Sequence, residues 1–451
     1  MQDSIPRETR RYLMKRLSFL FLLFFFGALI LAPAQGQAQP ADYKSKINWQ
    51  AYKGQTINVL FSTHPWQETI TPFIPEFEKL TGIKVNITKI PHDEMIVKVP
   101  AGFSSGTFAF DAFMGRYYDS PKFTVEKWTA PIKEFLEDPK YTDSSWYNFK
   151  DFFPAAQAIT TYGRYQDRLP ITAEASITVY RKDIYGELGL KPAATFDELL
   201  QTVKKISESK KAMGITVRGG PALWMPLYGI IRSYGGDWYT KDDVVKMNSP
   251  ESIAAVKMLA ELAQYAPPGI AGFGWDQINT AMLSGVAATF IDASVIYPRL
   301  MDPTKSTVVG KIACAPYPTG PAGRVSNAHF WSIAMSNLST KKPAAWYFLQ
   351  WATSRPTQKK VAIKGILPPR AAIWTDPDFT KAYQPDFIDA MNVTMKTAVC
   401  LPSGTKAGLS ILGLLDVQTR KVQEVILGQK EAKLAMDELT ADWNKIIAGT
   451  K

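Results

Sequence analysis

Few residues in this sequence have the type and spacing that bond-making chemistry requires. The three histidines, His64, His92 and His329, lie far from one another and from the two cysteines, Cys314 and Cys400, so no zinc-ligand spacing exists. No glycine-rich phosphate loop, dinucleotide-binding fingerprint, serine nucleophile elbow or paired-histidine zinc helix occurs. What remains is a group of acidic and basic side chains at the ends of predicted strands. Asp292 closes the run Ala288-Thr289-Phe290-Ile291, Arg218 follows residues 214–217, and Glu174 stands between Ala173 and Ala175 with no local partner. Two carboxylates of this kind suit the acid/base or nucleophile pair of a carbohydrate-active enzyme. The same groups, mixed with aromatic rings, suit the binding of a polyhydroxylated ligand without reaction.

These groups are carried by 451 residues, 46% apolar and 21% charged, a globular composition that excludes wholesale disorder and a collagen-like fibre. The length predicts two to three domains. The only long apolar run, residues 17–31, is too short for a comfortable membrane span. Arg7, Arg10, Arg11, Lys15 and Arg16 precede it and small residues follow, with cuts expected after Ala34 or Ala38. Residues 1–34 thus read as a secretory signal peptide, and the mature chain is expected in the periplasm. Met14 is an alternative start, and residues 9–15 resemble a twin-arginine motif. No cysteine near the cut offers a lipid anchor. Removing residues 1–34 takes away five basic and two acidic residues, so the net charge falls from +11 to +8. The remaining charge is dispersed in pairs such as Lys204-Lys205, Lys210-Lys211 and Lys359-Lys360, a pattern that argues against nucleic acid or anionic lipid as partner. Two cysteines allow one disulfide at most, and their pairing is open.

The elements that position these residues follow from periodicity. Residues 56–62 are apolar and β-branched enough for a buried strand. Thr71 is suited to cap a helix with Pro72 first, Ile74, Phe77 and Leu80 on one face, and Gly82 at its end. Further strands are expected at 83–87, 110–114, 177–180, 287–291, 311–315 and 330–335. Thr195 and Glu198 form a capping box before a helix carrying Leu199, Val203 and Ile206. Other helices are expected at 250–264, 277–284, 344–352 and on both sides of Gly428. Strand, helix, strand in this rhythm means an α/β body with largely parallel sheets.

The stretch Phe77-Glu78-Lys79-Leu80-Thr81-Gly82-Ile83-Lys84-Val85 resembles a signature of extracellular solute-binding proteins of the carbohydrate class, the binding components of ABC importers. Phe110-Asp111-Ala112-Phe113, Leu169-Pro170, Tyr180-Arg181-Lys182-Asp183, Gly189-Leu190-Lys191-Pro192, Gly235-Gly236-Asp237-Trp238, Ala345-Trp346-Tyr347-Phe348-Leu349 and Leu427-Gly428 agree in the family's order. Residues 180–183, 291–294, 351–354 and Val217-Arg218-Gly219 resemble the forms of sugar-alcohol-binding members, while His329-Phe330-Trp331 departs from them. The resemblance implies a two-lobed periplasmic-binding-protein-like fold of class II, with parallel-rich sheets and a multi-strand hinge. Carried over, it sets an N-terminal lobe at 42–170 plus 319–375 and a C-terminal lobe at 171–318 plus 376–451. The implied function is to bind a sugar, sugar alcohol or small oligosaccharide in the cleft and deliver it to the importer's permease subunits. No catalysis, cofactor or metal is implied, and the chain is expected to be a monomer. The alternatives are an exported carbohydrate-active enzyme using Glu174 and Asp292, or a binder of another solute such as a phosphorylated polyol.

A neutral polyol needs hydrogen-bonding partners for its hydroxyls and flat apolar surfaces for its C–H faces. The resemblance places Glu174 in the hinge region, where an ionised carboxylate would accept hydroxyl protons. Asp292 and Arg218 stand at strand ends facing the cleft. Arg116, Tyr117 and Tyr118 follow the third strand, and His64 and Trp66 follow the first. Trp224, Trp238, Trp275 and Trp331 complete the ligand-binding candidates, with Trp331 nearest the hinge.

Overall fold

The computed structural model describes residues 41–402 and 406–450, so the expected signal peptide and its cut sites lie outside the described residues. Strand β1 (Thr56–Ser62) pairs in parallel with β2 (Lys84–Ile90) and with β3 (Ala112–Arg116). The link from β1 to β2 turns helical earlier than the sequence suggests. Pro65–Ile70 is a helix capped by His64, whose Nδ1 accepts from the Trp66 amide at 3.0 Å. Thr71 therefore closes that helix, its hydroxyl donating to the Gln67 carbonyl at 2.6 Å, and is the first residue of the short 3-10 helix Thr71–Phe73 rather than the cap before it. The helix Ile74–Thr81 then ends at Gly82, which has φ 71°. Only glycine suits that position, because an added Cβ would also lie 2.6 Å from Lys53 Cγ.

Two short strands, β4 (Arg168–Pro170) and β5 (Glu174–Arg181), are separated by three residues but belong to different sheets. Strands β6 (Thr289–Ala293) and β7 (Ile312–Ala315) pair with β5, as does the two-residue β8 (Ala328–His329). Strand β9 (Trp331–Met335) returns to the first sheet, whose order is β2-β1-β3-β9-β4. The chain thus passes between sheets at 171–173 and again at Phe330. These passages are stitched together: the Ile171 amide donates to the Trp331 carbonyl at 2.8 Å, and the Trp331 amide to Thr172 Oγ1 at 3.1 Å.

Parallel pairing is confined to β1, β2 and β3, apart from isolated bridges such as Thr216 with Phe290. Every named pair of the second sheet is antiparallel. A short apolar run looks the same in either direction, so periodicity does not carry that distinction. The second sheet packs Ile177, Val179, Phe290 and Ile312 against Phe387 and Met391 of the helix Pro385–Met395. The helices Ile411–Ile426 and Ala432–Gly449 lie on either side of Gly428 and pack against each other. Among the described residues no helix is long and apolar enough to cross a membrane.

The helix Phe196–Glu208 begins as its capping residues predict. Thr195 Oγ1 accepts from the Glu198 amide at 3.1 Å, while Glu198 reaches back one residue further than expected, to the Ala194 amide at 2.8 Å. Thr195→Ala is expected to lower stability by about 1 kcal/mol. Urea unfolding checks this; an unchanged midpoint would mean that water replaces the cap without loss.

Candidate functional site

The two inter-sheet passages bring the strand ends together. His329 stands opposite Glu174 in the β8–β5 register, and Trp331 opposite Arg116 in the β9–β3 register. Asp292 sits near the end of β6, opposite Ile177. One small region thereby gathers a glutamate, two arginines, two histidines and several aromatic rings from segments distant in sequence.

Arg218 and Asp292 are both buried and joined by two bonds, Nε to Oδ2 at 2.9 Å and Nη2 to Oδ1 at 2.7 Å. The Ala293 amide also donates to Asp292 Oδ1, at 2.6 Å. The Arg218 guanidinium lies 5.0 Å from the Trp275 ring centroid, a cation–π arrangement. Tight backbone packing holds the turn after Arg218 in place: a Cβ on Gly219 would fall 2.5 Å from the Ile270 carbonyl oxygen. On the other sheet Arg116 binds Asp119 in the same two-pronged way, at 3.0 and 2.7 Å, and lies 4.7 Å from the Tyr118 ring centroid. Arg168 donates to the Arg116 carbonyl at 2.9 Å and is itself paired with Asp167, so the end of β3 is braced from behind.

Glu174 has no such partner. Its nearest polar neighbours are the Thr172 hydroxyl, 3.4 Å from Oε1, and His64 Nε2, 3.9 Å from the same oxygen. Burial pushes its carboxyl up to about 8; Arg218 and Thr172 pull the other way, and the Asp292 carboxylate adds to the rise. This corrects the sequence reading of Glu174 as an ionised acceptor. At neutral pH it is mostly a carboxylic acid, which donates one proton and accepts at its other oxygen.

The aromatic wall is formed by rings from both sides. Tyr118 meets Trp224 edge-on at 5.5 Å and His329 at 5.9 Å, and His64 lies 4.7 Å from Trp331. Tyr117 is nearly buried, and its hydroxyl accepts from the Leu401 amide at 2.8 Å, which fixes the ring in the wall. Two cavities flank Tyr118, of about 340 and 230 Å³. The second is lined by Tyr117 and Cys400, which is a free thiol, as is Cys314.

Ten of the twelve sequence-chosen residues therefore lie in this region. Trp66 and Trp238 do not. Trp66 is fully buried edge-on against Phe61, and Trp238 is enclosed by Tyr228 and Trp443. Both are core rings, placed by the apolar interior rather than by the cleft. Sequence reasoning missed His329 and Thr172. His329 had a visible signal, since alternation along His329-Phe330-Trp331 puts it on the side of Trp331; Thr172 had none.

The profile of the bacterial extracellular solute-binding proteins matches residues 62–359. The chain belongs to this family. Among relatives of this solute-binding protein, an erythritol/L-threitol-binding protein of Mycolicibacterium smegmatis is 28% identical over 343 residues, covering 71% of each chain. A probable amino-acid ABC transporter periplasmic-binding protein of Sinorhizobium fredii is 25% identical over 340 residues, covering 74% of this chain and 76% of the relative. Among solved structures, an ABC transporter solute-binding protein of Agrobacterium radiobacter in complex with ribitol superposes with a TM-score of 0.77 at 24% identity, covering 87% of this chain and 99% of that one. The fold is thus the two-lobed α/β fold of periplasmic solute-binding proteins.

Proposed function

We propose that this solute-binding protein captures a neutral polyol or small sugar between its lobes, in the periplasm, and passes it to the permease of an ABC importer without chemical change. The observation that carries this reading is the cancellation of charge at the site. Arg218 is satisfied by Asp292, Arg116 by Asp119, and Glu174 is held neutral by burial. An amino acid or a phosphorylated sugar would bring an ionised group with no unpaired counter-charge to meet it, and burying an unpaired charge is costly. A polyol brings hydroxyls, which a carboxylic acid, a histidine and aromatic faces can hold. The named ligands of the erythritol/L-threitol-binding relative and the ribitol complex support the same class. Hydrolysis by two carboxylates fits poorly, because both oxygens of Asp292 are already taken. The lobes divide at 170–171, a boundary supported by the exchange of sheets between β4 and β5, and the pairing of β8 with β5 moves the second boundary from the expected 318–319 to Phe330.

A thermal-shift panel tests the class. Erythritol, ribitol and mannitol at about 1,000 times their Kd should each add roughly 4 kcal/mol of stability through mass action, if bound only by the folded state. A shift by at least one of them, with none from amino acids or polyol phosphates, is the expected result. A shift from amino acids alone would overturn the reading.

A further inference from the structure

The cavity of about 340 Å³ beside Tyr118 has a lining unlike that of the polar cluster it adjoins. Its walls are Met95 and Val99 from the helix His92–Ser104, Met114 of β3, and Leu409, Ile411 and Ile446 from the C-terminal helices. Met95, Val99, Met114 and Ile411 are each at most 5% exposed, so these apolar groups form the walls of a recess rather than a patch on an outer face. Tyr118 and Arg116 line the cavity and also make contacts within the polar cluster, so the cavity adjoins the cluster at these two side chains. Arg116 is already bonded to Asp119 at that boundary, and the other cation of the lining, Lys122, is exposed with its Nζ 5.7 Å from the Trp128 ring centroid. An apolar cavity of about 150 Å³ is enough to bind benzene. This one has room for an aryl ring with its linker, or for a short alkyl chain, and two methionines give its walls the adaptability to close on either.

We propose that this cavity is an apolar subsite, and that the substrate class is a neutral polyol or glycoside carrying an alkyl or aryl substituent. The hydroxylated part lies among Glu174, Arg218 and Tyr118, and the substituent passes Tyr118 into the recess. The inference rests on the polyol reading for the hydroxylated part, but the cavity can be tested without it.

The test uses three probes, ribitol, O-benzyl ribitol and benzyl alcohol, titrated calorimetrically and followed by saturation-transfer NMR. Leu409→Trp and Leu412→Trp, two lining positions on its C-terminal wall, are prepared to narrow the recess, and their ligand-free melting temperatures report folding. In the wild type O-benzyl ribitol is expected to bind roughly tenfold or more tighter than ribitol, because the ring leaves water for an apolar recess. The folded Trp variant should bring that ratio close to one. A ratio of one or less in the wild type overturns the subsite, as does a tenfold ratio that both folded variants leave intact. If ribitol gives no signal, the polyol choice fails separately, and benzyl alcohol decides: binding lost in the Trp variants supports the cavity, and no binding overturns it.

Discussion

Asp292→Ala is expected to destabilise the protein by about 3–5 kcal/mol, the cost of stranding a buried charge. The reason is its partner. Arg218 is 7% exposed and Asp292 is not exposed at all, so removing the carboxylate leaves a guanidinium with neither water nor counter-ion. The midpoint of urea unfolding should fall while its slope stays the same. The double variant Arg218→Met with Asp292→Leu should recover most of that loss, because exchanging a buried pair for apolar groups of similar size is often neutral or stabilising. If the pair also orders the polyol site, the double variant folds but binds polyol poorly. A single variant as stable as wild type would mean that water reaches Arg218 and that the pair is not sealed.

The second large effect is on pH dependence. Glu174 titrates near 4.5 as an ordinary glutamate and at about 8 in the fold. Between these values the unfolded chain has released the proton and the folded chain keeps it, so the folded state binds more protons and stability falls as pH rises. The contribution is full below pH 4.5, is lost progressively at up to about 1.4 kcal/mol per pH unit, and is gone above pH 8. Glu174→Gln abolishes the slope. Its stability relative to wild type should therefore rise by roughly 3 kcal/mol between about pH 5 and pH 8. The groups facing Glu174 are His64, Thr172, Arg218 and Asp292, with His329 opposite in the sheet. Histidine side chains ordinarily change charge within the same range, so the comparison is repeated in a His64→Gln background. Parallel pH profiles for the wild-type and Glu174→Gln forms in both backgrounds would show the carboxyl to be ionised and solvated.

How much of this is legible in the sequence depends on distance along the chain. Strand β1 shows its true limits there, because its apolar, β-branched run gives way after Ser62 to Thr63-His64-Pro65. For the link between β1 and β2 the sequence suggests a helix opening at Pro72, whereas Pro65 begins the first of several short helical turns, each opened by a proline at a tolerated position. Strand β3 lies two residues later than expected, which moves Arg116 from a loop to the strand's end and fixes it against Trp331.

At the site, residue type and strand-end position are enough to choose Glu174, Arg218 and Asp292. The bond between the last two joins residues 74 positions apart, and nothing local announces it. Trp66 and Trp331 illustrate the same limit. Each flanks a strand end, yet one faces the core and the other the cleft, and only the packed fold separates them. The protonation state of Glu174 is likewise out of reach, since it comes from burial by segments that the sequence does not show to be neighbours.

The most direct test is a crystal structure with whichever of erythritol, ribitol or mannitol gives the largest thermal shift. Electron density for that polyol between the lobes, in hydrogen-bond reach of Glu174 and against Tyr118 or Trp331, is the predicted result. Polyol density on one lobe alone, or away from Glu174 with the side chains of the cluster undisturbed, would contradict the account.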